Sequence, residues 1–169
     1  IFYYITVMNE NYHQPALPKG VEEGILRGIY PLKEASKQQK AHVQLLGSGT
    51  ILREVQKAAE MLETDFGVTA DIWSVTSFNE LRKDGLEVER FNRMHPGSKP
   101  KVSYVEEVLG GRNGPVIAAT DYIKLYADQI RPYIKASYTV MGTDGYGRSD
   151  TRQKLRHYFE VDAKFIVLA

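Results

Sequence analysis

Cysteine is absent from this sequence, and tryptophan occurs once. Without thiols the chain has no disulfide scaffold, no thiolate metal centre and no cysteine nucleophile. An excess of either charge is missing too: 22 Lys and Arg stand against 21 Asp and Glu, a formal net charge of +1. That balance offers neither the basic field of a nucleic-acid binder nor an acidic tail, so no nucleic-acid partner is expected. No apolar run approaches the roughly 20 residues that cross a bilayer, and no signal-peptide pattern is found, so no membrane association and a cytoplasmic location are the expectations. What is present is ordinary for a folded chain. The 169 residues are 43% hydrophobic and 25% charged, enough for one domain with a real core.

Both ends read as cut inside elements of a longer polypeptide. Residues 1–7 are apolar at successive positions, the pattern of a strand buried on both faces. Residues 161–169 begin as a helix with Asp162 as N-cap and stop in apolar residues without a C-cap. Between them, 19–40 reads as an irregular connector with a short helix near 21–27, because Gly20, Gly24, Gly28 and Pro31 interrupt longer elements. From His42 onward strands alternate with helices. Strands are expected at 42–46, 70–76, 116–119 and 138–141, and helices at 51–66, about 78–94, 102–109, 121–130 and up to 159. Ile51, Val55, Ala58 and Leu62 recur at helical spacing, and Gly67 can close their helix. Ser77-x-x-Glu80 reads as a capping box, and the run from Asp150 resembles a second. The alternation predicts an α/β fold of three αβα layers around a mostly parallel sheet.

Three loops carry candidate chemistry. Gly47-Ser48-Gly49 sits between a strand and a helix, where dinucleotide folds place a phosphate loop, but the third fingerprint glycine is replaced by Leu52, and a tight turn is the better reading. The segment 142–150 (GTDGYGRSD) is dense in glycine, and with Arg148 it can hold an anion; Ser149 lacks the last glycine of a nucleophile elbow and is better read as part of a helix start. Asn9-Glu10-Asn11-Tyr12-His13-Gln14-Pro15 follows the first apolar run at the place where open α/β sheets put ligands. Its carboxylate and imidazole lie three residues apart, a pair suited to proton transfer or to holding a substrate carboxylate, against the alternative of a solvated loop. His42, His95 and His157 show no metal-ligand spacing and read as structural or solvated.

Residues 2–15 (FYYITVMNENYHQP), 45–52 (LLGSGTIL), 73–80 (WSVTSFNE), 119–125 (ATDYIKL) and 142–162 (GTDGYGRSDTRQKLRHYFEVD) together resemble one family, the homodimeric bacterial-type pyruvate dehydrogenases of the transketolase superfamily. The resemblance implies that 1–18 are the last strand and active-site loop of a pyrimidine-binding domain. It implies that 19–40 is a connector and 41–169 a transketolase-type C-terminal domain, truncated in its last helix, with a mixed five-stranded sheet containing one antiparallel strand. It implies an enzyme that decarboxylates pyruvate and reductively acetylates the lipoyl group of an acetyltransferase. His13 would orient substrate and move protons, Glu10 would tune it as a second catalytic residue, and Asn9 would share in substrate binding; Gln14 stands where close relatives carry methionine. Thiamine diphosphate and magnesium are the implied cofactors, bound by regions absent here. A homodimer and the dihydrolipoyl acetyltransferase core are the implied partners. The alternatives are a 2-oxoglutarate dehydrogenase, a transketolase, or a non-catalytic dimerisation or regulatory module.

Overall fold

A computed structural model describes residues 2–5, 11–36 and 39–169. The first regular elements are a short helix α1 (Glu22–Arg27) and a strand β1 (Ile29–Lys33). The core alternation follows as β2 (His42–Gly47), α2 (Leu52–Phe66), β3 (Thr69–Val75), α3 (Phe78–Met94) and α4 (Tyr104–Leu109). It continues through β4 (Val116–Ala119), α5 (Lys124–Asp128), β5 (Tyr138–Met141), α6 (Arg152–Tyr158) and α7 (Ala163–Leu168). The strands form one sheet in the order β1-β3-β2-β4-β5, with β1 antiparallel to β3 and the other pairings parallel.

Alternation along each strand divides the core into two apolar layers. Leu46, Trp73, Val75, Val116 and Ala118 face the side covered by α3, α4 and α5, packing with Phe78, Leu81, Val105 and Ile130. Val43, Leu45, Ile72, Ile117 and Ala119 face α2 and α7, packing with Val55, Ala58, Leu62 and Ile166. The three-layer expectation therefore holds, and α2 buries the Ile51, Val55, Ala58 and Leu62 face that its spacing foretells.

Local chemistry sets the element ends. Gly67 (φ 64°) closes α2, and Ser77 Oγ accepts from Glu80 N–H at the start of α3. The reciprocal box forms elsewhere, at α4, where Ser103 Oγ accepts from Glu106 N–H and Glu106 Oε2 accepts from Ser103 N–H at 3.3 Å. At α6 the cap is Thr151, not Asp150: Thr151 Oγ1 accepts from Lys154 N–H, while Asp150 Oδ1 accepts from Thr151 N–H. Asp162 caps α7 as expected, its Oδ1 accepting from Lys164 and Phe165 N–H groups.

One expectation is corrected. The stretch 19–40 forms the short helix expected near 21–27, as α1, but it also holds the antiparallel strand of the sheet; Ile29 is fully buried against Val75 of β3. Within 1–7, Phe2, Tyr3, Tyr4 and Ile5 form no strand and are exposed, Phe2 at 96%. A strand needs a hydrogen-bonded neighbour, and among the described residues none pairs with them. Ile1, Thr6 and Val7 lie outside the described residues.

Candidate functional site at the carboxyl edge of the sheet

The carboxyl ends of β2, β4 and β5 are joined by side chains from the loops that follow them. After β2, the buried Ser48 hydroxyl donates to Thr120 Oγ1 at 2.8 Å, and Thr50 Oγ1 donates to Asp121 Oδ2 at 3.4 Å. After β5, Thr143 donates from its N–H to Tyr122 O (2.8 Å) and from its hydroxyl to Asp121 O (2.6 Å). Asp144 Oδ1 accepts from Lys124 N–H at 2.8 Å. A Cβ on Gly47 would lie 2.8 Å from Leu52 Cα, so the glycine there admits the close approach of α2. That contact explains Gly47-Ser48-Gly49 as a packing turn, in line with the tight-turn reading.

Beside these loops opens a cleft of about 300 Å³, lined by Thr50, Asp121, Thr143, Tyr146, Arg148 and Arg152 and floored by Ile51 and Val161. Arg148 lies with its guanidinium carbon 4.1 Å from the ring centre of Tyr158. Arg156, also on the rim, is already committed: its NH1 donates at 3.1 Å to the buried Glu54, whose other oxygen accepts from Ala163 N–H at 3.3 Å. Glu54 thereby fastens α6 and α7 onto α2.

His13 is exposed, and the residue before it reaches the same end of the fold. The guanidinium of Arg53, in the first turn of α2, lies 4.2 Å from the ring centre of Tyr12. Asn9 and Glu10, expected to work with His13, lie outside the described residues. Among the described residues no group of three or more His, Asp or Glu side chains could hold a metal ion. Asp144, in the nearest approach to a magnesium-diphosphate motif, is engaged by a backbone N–H. The described residues therefore do not fit a magnesium-diphosphate group.

The remaining histidines are structural or solvated, as expected. His95 stacks on Phe91 (4.3 Å between centroids), and exposed His157 approaches Asp162 Oδ2 at 3.0 Å. His42 belongs to a buried polar network invisible in the sequence. Its Nδ1 is 2.7 Å from Thr69 Oγ1, and its Nε2 is 3.1 Å from Asp71 Oδ2, at ion-pair distance but without hydrogen-bond alignment. Asp71 also accepts from Ala35 N–H (2.9 Å) and Gln44 Nε2 (3.2 Å), while Gln44 Oε1 accepts from Trp73 Nε1 at 2.8 Å. Burial pushes the Asp71 carboxyl up, but the Ala35 and Gln44 hydrogen bonds and the close approach of the His42 imidazole outweigh it and hold it below its ordinary value of 3.8. The network sits at the amino ends of β2 and β3, where it ties the chain after β1 to the sheet.

A mixed sheet covered on both faces, with one antiparallel edge strand and its loops gathered at the carboxyl edge, defines a transketolase-type α/β domain. The sequence model of the transketolase-like TK C-terminal domain matches residues 28–162, and the chain belongs to that family. It is 69% identical over 170 aligned positions to the pyruvate dehydrogenase E1 component of Pseudomonas aeruginosa and 55% identical to that of Escherichia coli K12. Both comparisons cover the whole of this chain and 19% of the relative, so the chain spans about one-fifth of the length of the curated relatives it matches. Among solved structures, transketolase from Campylobacter jejuni superposes with a TM-score of 0.55 at 21% identity, over 83% of this chain and 18% of that one. Transketolase from Leishmania mexicana gives 0.56 at 17% identity, over 86% and 18%. These structural likenesses carry the fold.

Proposed function

We propose that the chain is the C-terminal part of a pyruvate dehydrogenase that decarboxylates pyruvate and passes the acetyl group reductively to the lipoyl group of a dihydrolipoyl acetyltransferase. The 69% identity to the Pseudomonas aeruginosa pyruvate dehydrogenase E1 component, over the whole of this chain, carries this reading. Residues 1–18 belong to the last strand and active-site loop of a pyrimidine-binding domain. The C-terminal domain is entered through α1 and β1 and contributes to a homodimer in the cytoplasm. Thiamine diphosphate and magnesium supply the chemistry at the 2-oxo carbon and are held by other parts of the polypeptide.

His13 orients the substrate carboxylate and handles protons, because an imidazole changes charge near neutral pH. Glu10 biases it towards the charged form, and Asn9 adds a hydrogen bond to the substrate. The Tyr12–Arg53 contact supports a role for α2 in holding this loop. Taken alone, the 169 residues neither bind the cofactor tightly nor turn over pyruvate; micromolar binding of thiamine diphosphate to the isolated chain in titration calorimetry overturns that statement.

The test is pyruvate-dependent reduction of an artificial electron acceptor by the full-length protein with magnesium and thiamine diphosphate, with 2-oxoglutarate and ketose phosphates as controls. Activity with pyruvate alone, lowered about a hundredfold or more in His13→Ala as for a lost acid–base group, is the expected result. Activity with a control substrate in place of pyruvate refutes the assignment, and an unaffected His13→Ala variant reduces the loop to scaffolding.

A further inference from the structure

The glycine-rich loop after β5 and the cleft beneath it are unused by the function proposed above, and three observations there point to a ligand. The first is position. β3 and β4 flank β2 on opposite sides, so the strand order reverses between β2 and β4. In open α/β sheets this switch point, at the carboxyl ends of the strands, is where ligands bind. The cleft opens at that place, bounded by Thr50 after β2, Asp121 after β4 and Thr143 after β5. Its volume of about 300 Å³ suits a small metabolite.

The second observation is the chemistry of the walls. Arg148 stacks on Tyr158 and forms no ion pair among the described residues. A guanidinium held over a ring without an ion pair keeps N–H groups available for the oxygens of a phosphate. Asp121 lines the same cleft; its side chain accepts from Thr50 Oγ1 at 3.4 Å and keeps lone pairs for hydroxyl donors. The third is the distribution of charge. In a neighbouring hollow the basic side chains Arg53, Lys57, Arg152, Lys154, Arg156 and Lys164 outnumber the carboxylates Glu54 and Asp162, although the whole chain carries only +1. A concave surface with an excess of one sign of charge raises the local concentration of the opposite sign.

We infer that this cleft binds a small phosphorylated polyhydroxy compound, its phosphate on Arg148 and a hydroxyl on Asp121. The carboxylate repels a bare anion and accepts from a hydroxyl, so the site discriminates a sugar phosphate from inorganic phosphate. Arg156, neutralised by Glu54, frames the cleft without being needed for the ligand.

The experiment is titration calorimetry on the full-length protein saturated with thiamine diphosphate and magnesium, which fills the phosphate sites of the proposed reaction. Ribose 5-phosphate is the probe, with inorganic phosphate and ribose as its two halves. Saturable binding of ribose 5-phosphate is expected, about tenfold tighter than phosphate, with no binding of ribose. Arg148→Ala weakens both phosphorylated probes by about tenfold or more, and Arg148→Lys by less, because an ammonium lacks the planar fork. Asp121→Asn weakens ribose 5-phosphate and tightens inorganic phosphate, narrowing the gap between the two probes. Both substitutions are on exposed loops, and melting curves of the variants check the fold; if Arg148→Ala melts early, Arg148→Lys and Asp121→Asn decide. No saturable binding up to roughly 10 mM, or equal affinities for wild type and Arg148→Ala, overturns the inference. Pyruvate-dependent activity measured on the same preparations reports on the proposed function alone, so failure of one leaves the other standing.

Discussion

Removing the Asp71 carboxylate tests whether the buried network at the amino end of the sheet holds β1 and the 110–114 turn in place. Asp71 is 1% exposed and accepts from Ala35 N–H and Gln44 Nε2, with His42 Nε2 at 3.1 Å and Arg112 NH1 at 3.7 Å. Asp71→Ala leaves Ala35 N–H without its acceptor and His42 without its carboxylate, while Gln44 Nε2 keeps Asn113 O and Arg112 keeps Glu34; each buried donor so orphaned costs about 1–3 kcal/mol. Breaking one side of a buried charged pair costs about 3–5 kcal/mol in all. A loss of about 4 kcal/mol is expected, and with it a fall in melting temperature on the order of 10 °C for a domain of this size.

Urea unfolding is the assay, and the protein carries its own reporter. The single tryptophan, Trp73, is buried and donates from Nε1 to Gln44 Oε1 within the network. Because the folded carboxyl is held below 3.8, its contribution is complete above that pH and is lost as pH falls through the lower folded value. The gap between wild type and Asp71→Asn therefore stays constant from neutral pH down to about pH 4 and narrows only below it. A cost under about 1 kcal/mol for Asp71→Ala, or a gap that already narrows well above about pH 4, refutes the reasoning.

Other outcomes follow from single contacts. Gly114→Ala meets strain (φ 86°) and a backbone collision, its Cβ falling within bonding range of the His42 carbonyl oxygen; a loss of about 3 kcal/mol in denaturant titration is expected, and a neutral variant removes the argument. Glu54→Gln weakens the fastening of α6 and α7 to α2, costing about 3 kcal/mol, and amide exchange should rise first across 152–168. Burial raises Tyr138, whose hydroxyl donates to Ala127 O, so its stabilising effect is full below pH 10 and lost as pH climbs above it. Tyr133 is likewise pushed up to about 12, by burial first and then by Glu89. Tyr138→Phe should flatten the alkaline fall in the urea midpoint.

Most of the α/β alternation was legible because apolar periodicity is a local property: a helix face and a strand face show themselves within about ten residues. Asp162 and Ser77 announced their helices for the same reason, since a cap reaches only to its own first turn. β1 was missed because Pro31 and the glycines beside it break any local pattern, and only antiparallel pairing with β3, more than forty residues on, makes a strand of it. The apolar 2–5 shows the converse: a strand-like sequence joins no sheet and stays exposed where no neighbour among the described residues offers its hydrogen bonds. The sequence singled out the 142–150 loop and His13 by composition and motif. It was silent on the cleft, because Thr50, Asp121 and Arg148 come together only when β2, β4 and β5 align their carboxyl ends. It was equally silent on the partnership of His42 with Asp71, which depends on the register that sets Gln44 opposite Asp71. Propensity and capping are thus decided by neighbours along the chain, whereas sites and buried networks are decided by strand order and register, which only the closed core selects.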